Sequence, residues 1–190
     1  MPEFYNQSAC GFQPEAQPYL DAIARWVRDK PAARSFLLET TKFAQDYAGA
    51  KLVWDEQWER RDPKKVMICP FWSNYWYQPC RYCDCRIENS VSMEIDAIFF
   101  LRSAEKTLAV HIELKRDGEP LSVGQAEAYR PRAACYRDQR RVRKTLLAHD
   151  EFITVLFCGL GTNILLAEQY FDRVILHEEA RKVFPSYPVG

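Results

Sequence analysis

Residues 91–116 read VSMEIDAIFFLRSAEKTLAVHIELKR, and the folding of this stretch decides the architecture of the chain. Val91 to Leu101 and Thr107 to Arg116 are rich in Ile, Val and Phe, which predicts two strands. Ser103-Ala104-Glu105-Lys106 between them predicts a turn, so that Arg102 pairs with Thr107. In an antiparallel hairpin the numbers of opposed residues sum to a constant. Asp96 is then expected opposite Glu113, and Glu94 opposite Lys115. Alternation places Glu113 and Lys115 on one sheet face, with Ile112 and Leu114 on the other. A slip of one residue would invert one strand's assignment.

The two strands are otherwise apolar on both faces, which points to a central position in the sheet. Carboxylates gathered there repel one another and lose hydration unless a cation compensates them. A hard divalent ion, Mg²⁺ or Mn²⁺, suits such oxygen ligands. Lys115 alongside can stabilise charge or orient an attacking water. Metal-assisted phosphodiester hydrolysis needs this kit: a Lewis acid, an activated water and a cation for the developing charge. The competing reading is an ordinary half-buried hairpin with a cross-strand Glu94–Lys115 ion pair and a solvated Asp96.

Working outward, Leu20, Ile23, Ala24 and Val27 fall at helical spacing and predict a helix over 18–30, closed by Pro31. A second helix is predicted over 32–47, with Phe36, Thr40, Phe43 and Tyr47 along one stripe and Gly49 beyond its end. Strands are predicted over 51–59 and 65–71. The aromatic and Cys-rich segment 70–86 has no clean period and reads as a loop or insertion. A helix follows from Val123, kinked or ended by Pro131. Phe152 to Cys158 is a continuous apolar strand stopped by Gly159 and Gly161. Segments 165–170 and 173–176 add short elements of undecided type. This order predicts one α/β domain over 1–190, with a mixed central sheet, helices on both faces and a core at about 32–160.

The motifs Glu94-Ile95-Asp96-Ala97-Ile98 and Ile112-Glu113-Leu114-Lys115, followed by Gln125 and Tyr129, resemble those of the PD-(D/E)xK nuclease superfamily. The Q-x-x-x-Y spacing is similar to that of RecB-like members. The resemblance implies the restriction-endonuclease-like αβββαβ core and a nuclease acting on DNA. It implies that Asp96 and Glu113 bind Mg²⁺, that Lys115 acts on the nucleophilic water, and that Gln125 and Tyr129 support the site. Glu39 on an early core helix is the counterpart of an acidic residue that serves some members, and Glu94 is a further supporting candidate. One departure is that Ile95, not Pro, precedes Asp96. The alternative is a catalytically silent nucleic-acid-binding or interaction module on the same fold.

Gln125 also completes a capping box, with Ser122 as N-cap, and one side chain cannot easily fill both roles. Cations thicken after the second strand, at Arg116, Arg130, Arg132, Arg137, Arg140 and Arg141. They suit a phosphate backbone running past the site, or equally a solvated helix face. Cys69, Cys80, Cys83 and Cys85 could supply four thiolates to a structural Zn²⁺, to an iron–sulfur cluster, or remain free and reduced.

Across its 190 residues the chain is 47% apolar, with 5 Trp, 10 Tyr and 11 Phe, ample for a core. Lys plus Arg (26) balance Asp plus Glu (26), so the placement of charge matters more than its sum. The N-terminus lacks the pattern of a secretory signal, and the crowded cysteines suit a reduced compartment, which makes the cytoplasm the expected location. With no G-x-S-x-G, phosphate-binding loop or dinucleotide fingerprint, other hydrolase and nucleotide-driven classes lack support.

Overall fold

The central hairpin forms in the register that its short turn dictates. Ser103 pairs with Lys106 and Arg102 with Thr107, and the ladder runs on to Ala97 opposite Ile112. Ala104, the first residue of the two-residue connection, has φ 51°, the positive value that the primed hairpin turns require there. The computed structural model describes residues 15–60, 71, 76–77, 93–138 and 146–189.

In chain order the described elements are α1 (Gln17–Asp29), α2 (Pro31–Leu38), β1 (Lys51–Leu52), α3 (Trp54–Arg60), β2 (Trp76–Tyr77) and β3 (Met93–Glu94). The core hairpin, β4 (Ala97–Ser103) and β5 (Lys106–Lys115), follows. Then come α4 (Val123–Arg137), β6 (Glu151–Cys158), α5 (Ile164–Tyr170), β7 (Arg173–Leu176) and α6 (His177–Val183). A five-stranded mixed sheet has the order β1-β4-β5-β6-β7, while β2 and β3 form a separate two-stranded ribbon. β1, β4 and β5 are antiparallel; β5, β6 and β7 are parallel.

β5 is the middle strand, and its residues from Thr107 to Leu114 are all buried. Such a strand is largely apolar on both faces, as its composition foretold, with Thr107, His111 and Glu113 as its buried polar members. Leu108, Val110, Ile112 and Leu114 join Phe99 and Leu101 in a core under α1, α2 and α6. Ala109, Ile98 and Phe100 face the opposite core, built with Tyr129, Ala133 and Tyr136 of α4 and Ala167 of α5. Both crossovers from β5 through β7 therefore lie on one face of the sheet. Among the described residues no helix is long and apolar enough to cross a membrane.

Several expected boundaries move. The helix expected over 32–47 ends at Leu38, because Glu39 leaves helical geometry and Thr40 takes φ 66°. The Thr41 hydroxyl then donates to the Leu38 carbonyl and accepts from the Phe43 amide, so turns replace the ladder. The strand expected over 51–59 lasts two residues before α3 begins. Asp55 and Glu56 sit in the first turn of α3, where carboxylates favour a helix start, and the Gln57 amide is tied to the Ile98 carbonyl. The strand expected over 65–71 lies almost wholly outside the described residues; Phe71, its last member, is in a turn whose carbonyl accepts from the Ile98 amide.

Pro131 neither ends nor interrupts α4, which runs on to Arg137. An interior proline costs roughly 3 kcal/mol. Burial of Tyr129, Ala133 and Tyr136 on the sheet side offsets that cost. The two segments of undecided type resolve as helix α5 and strand β7.

Candidate active site

Alternation along β5 aims Glu113 toward α4, into the face opposite Leu114. Its side chain is only 4% exposed, and donors surround its carboxyl group. Lys115 Nζ lies 3.0 Å from Oε1, and the Gln125 amide nitrogen donates to the same oxygen at 2.5 Å. The Tyr129 hydroxyl donates to Oε2. Gln125 and Tyr129 stand one turn apart on α4, so both reach the strand from the same helix face.

Asp96 joins the patch by a different route. The main-chain ladder stops at Ala97, and Asp96 replaces it by accepting the Leu114 amide on Oδ2 at 2.7 Å. This fixes its carboxylate on the main chain of the residue after Glu113, near enough to help raise the Lys115 pKa.

Lys115 is squeezed between opposing influences. Burial disfavours its ammonium, but the charge and hydrogen bond of Glu113, then Asp96 and Glu119, outweigh burial and hold its pKa above 10.5. It is therefore a cation at neutral pH and cannot serve as a base there. Its carbonyl is held as well. His177 Nε2 lies 3.0 Å from Lys115 O, and His177 Nδ1 lies 2.8 Å from the Tyr187 hydroxyl. A carbonyl only accepts, so Nε2 carries the proton and Nδ1 accepts from Tyr187. Burial holds the His177 pKa below 6.5, consistent with that neutral tautomer. No sequence pattern flagged His177, whose role depends on β7 and α6 returning to the end of β5.

The structure brings Asp96, Glu113, Lys115, Gln125 and Tyr129 together. It also divides the two roles assigned to Gln125. Its backbone amide donates to Ser122 Oγ as in an N-cap, and its side chain is spent on Glu113. Other expectations need correction. Glu94 does not oppose Lys115, because the chain bends at Asp96 and Glu94 pairs with Trp76 in the separate ribbon. Glu39 is 3.7 Å from Arg173, whose guanidinium also lies over Phe36, on the sheet face opposite Glu113. It cannot reach the patch.

The cations do not form one stripe. Arg132 is 1% exposed and part of the α4 core, so it cannot present its charge to a phosphate backbone. Arg116 is gripped by Glu119 and Arg130 pairs with Asp172 at 3.1 Å. Arg137 pairs with Asp138 and lies over the Phe152 ring. Arg140 and Arg141, and Cys69, Cys80, Cys83 and Cys85 with the zinc site expected of them, lie outside the described residues. Among the described residues no group of three or more His, Cys, Asp or Glu is arranged to hold a metal ion. Comparison with known proteins gives no matching family model, no matching curated protein and no matching solved structure.

Proposed function

We propose that the protein is a metal-dependent nuclease that hydrolyses phosphodiester bonds, with DNA as its substrate, on a restriction-endonuclease-like core. The succession β1, β4, β5, α4, β6, with its antiparallel meander and parallel final strand, supports the resemblance read from the motifs. The observation that carries the reading is Glu113: a carboxylate buried at the end of the central strand, oriented through both oxygens, with Asp96 alongside.

The donor set fits a divalent ion. Mg²⁺ is commonly held by one or two carboxylates, with water and substrate phosphate filling the other positions. A patch of two carboxylates therefore suffices without a larger cluster. A carboxylate offers about four lone-pair sites, and the three bonds described leave Glu113 one on Oε2. Asp96 and Glu113 would hold Mg²⁺ or Mn²⁺. When bound, the ion supplies Lewis-acid polarisation of the phosphodiester and lowers the pKa of a coordinated water. Lys115, held as a cation beside Glu113, would orient an attacking water and offset charge building on the phosphorus oxygens. Gln125 and Tyr129 keep Glu113 in place by donating one hydrogen bond to each of its oxygens.

A second reading is favoured by one observation: the described cations Arg116 and Arg130 are already paired with carboxylates, and Arg132 is buried. That thins the surface for a nucleic-acid backbone and suits a silent interaction module. Nicking of supercoiled plasmid and degradation of single-stranded DNA, with Mg²⁺ or Mn²⁺, separates the two. Cleavage by the wild type that is lost in both Glu113→Ala and Lys115→Ala is the expected result. A folded wild type that cuts neither DNA nor RNA overturns the nuclease reading.

A further inference from the structure

Lys115 is the last residue of β5, and the chain turns away directly after it. The Arg116 amide donates to Glu119 Oε2, and the Glu119 amide donates to the Arg116 carbonyl. Main-chain groups at such a strand end lose their ladder partners and need others. Here the chain is pinned one residue before Lys115 and at its own carbonyl. Asp96 Oδ2 accepts the Leu114 amide at 2.7 Å, and His177 Nε2 lies 3.0 Å from the Lys115 carbonyl oxygen.

His177 reaches β5 from two strands away. Lys115 pairs with Cys158 of β6, and Cys158 pairs with Leu176 of β7, which His177 follows. The imidazole therefore passes over the end of β6, where the next residue is Gly159. A Cβ on residue 159 would fall 2.5 Å from His177 Cδ2, so glycine leaves the ring its path. On the far side Nδ1 accepts from the Tyr187 hydroxyl at 2.8 Å. The Tyr19 and Tyr187 rings stand 5.2 and 5.6 Å from the imidazole, which belongs to a residue 2% exposed. A ring enclosed in this way and bonded through both nitrogens is held in one orientation.

We propose that His177 is a positioning residue for Lys115, fixing through the Lys115 carbonyl the strand end from which the ammonium meets Glu113. A consequence for cleavage rests on the nuclease reading; control of Lys115 by this hydrogen bond does not. Lys115 Nζ lies 3.0 Å from Glu113 Oε1. A lysine side chain is a flexible stem, so its head is placed by the main chain that carries it and by the partner it meets. Freeing the carbonyl lets the end of β5 drift and takes the ammonium with it. A displacement of about 1 Å at a reacting group can cost roughly a hundredfold in rate.

The test compares three variants of the full chain. His177→Gln keeps an N–H donor at the reach of Nε2, His177→Met has similar length and no donor, and His177→Phe keeps a ring without one. Lys115-Arg116 is the only Lys-Arg step in the sequence. Lysine labelled with ¹³C and arginine labelled with ¹⁵N therefore give, by NMR, a single carbonyl resonance across that peptide bond. This resonance and that of Lys115 Cε, assigned by its loss in Lys115→Ala, are expected to move in the Met and Phe variants and to stay in place in the Gln variant. In plasmid nicking with Mg²⁺ or Mn²⁺, kcat is expected to fall about tenfold or more in the Met and Phe variants, with KM unchanged and Gln restoring the rate. Resonances unmoved by loss of the donor, an unchanged kcat, or a Gln variant as impaired as the other two overturns the proposal. A wild type that cuts nothing while the resonances move as expected loses the nuclease and keeps the positioning contact. One that cuts while they stay still does the reverse.

Discussion

The Tyr129 hydroxyl donates to Oε2 of Glu113, tying α4 to the end of the central strand through a hydrogen bond that water does not reach. Tyr129→Phe keeps the ring against Phe171, 5.0 Å between centroids, and removes only the donor. Loss of one partner of a buried acceptor costs about 1–3 kcal/mol. Urea unfolding is expected to show a loss in that range, with the slope of the transition unchanged. A variant as stable as the wild type would mean that Lys115 and Gln125 alone hold the carboxylate.

Lys115 gives a prediction for alkaline solution. Its folded pKa lies above 10.5, so its contribution to stability is complete below that value and lost as pH rises through the folded pKa. Glu113→Gln removes the leading attraction but leaves the burial that opposes the ammonium. The alkaline unfolding midpoint of Glu113→Gln is therefore expected at lower pH than that of the wild type, followed by circular dichroism. Coincident midpoints would show that the pair is not coupled.

His111 governs the acid side. It is fully buried, and burial, then the neighbouring His149, hold its pKa well below 6.5. Tyr136, Phe152 and His149 surround the ring, and His149 is itself held below 6.5 by burial. A depressed folded pKa gives stability that is present above 6.5 and lost as pH falls toward the folded value. His111→Phe is expected to flatten the decline in urea midpoint between neutral pH and about pH 5. An unchanged acid limb would place the sensitivity on His149 or the carboxylates.

Ala104 holds a conformation that side chains disfavour. A non-glycine residue in the left-handed region costs roughly 1–2 kcal/mol, and glycine loses part of that gain to unfolded-state entropy. Ala104→Gly is expected to raise stability by up to about 1 kcal/mol, read as a higher urea midpoint. A lower midpoint would show that the Ala104 methyl group packs favourably in the turn.

The parts that were legible in the sequence are those that short-range arithmetic controls. Four residues from Ser103 to Lys106 fixed the hairpin register, and alternation then placed Glu113 and Lys115 on one face. Spacing of four put Gln125 and Tyr129 on one side of α4. The arithmetic failed at Glu94, because the partner that captures it, Trp76, lies outside the hairpin. It failed at Glu39 because a helix's length does not reveal which sheet face it covers. Arg132 was misjudged because charge in a sequence says nothing of burial. Trp54 to Arg60 has aromatic content that suits a strand, but acidic residues at the helix start and the Gln57 tether decide for helix.

The hydrogen-bonded patch from Asp96 to Tyr129 is drawn from one uninterrupted run of chain, the hairpin and the helix after it. Closing loops this short costs little entropy, and contacts near in sequence form early. The patch can thus assemble before β6 arrives from residue 151 onward and before α1 and α2 cover the opposite face. The later elements lock a geometry already drawn, in the manner of a keystone set after the arch has taken its curve.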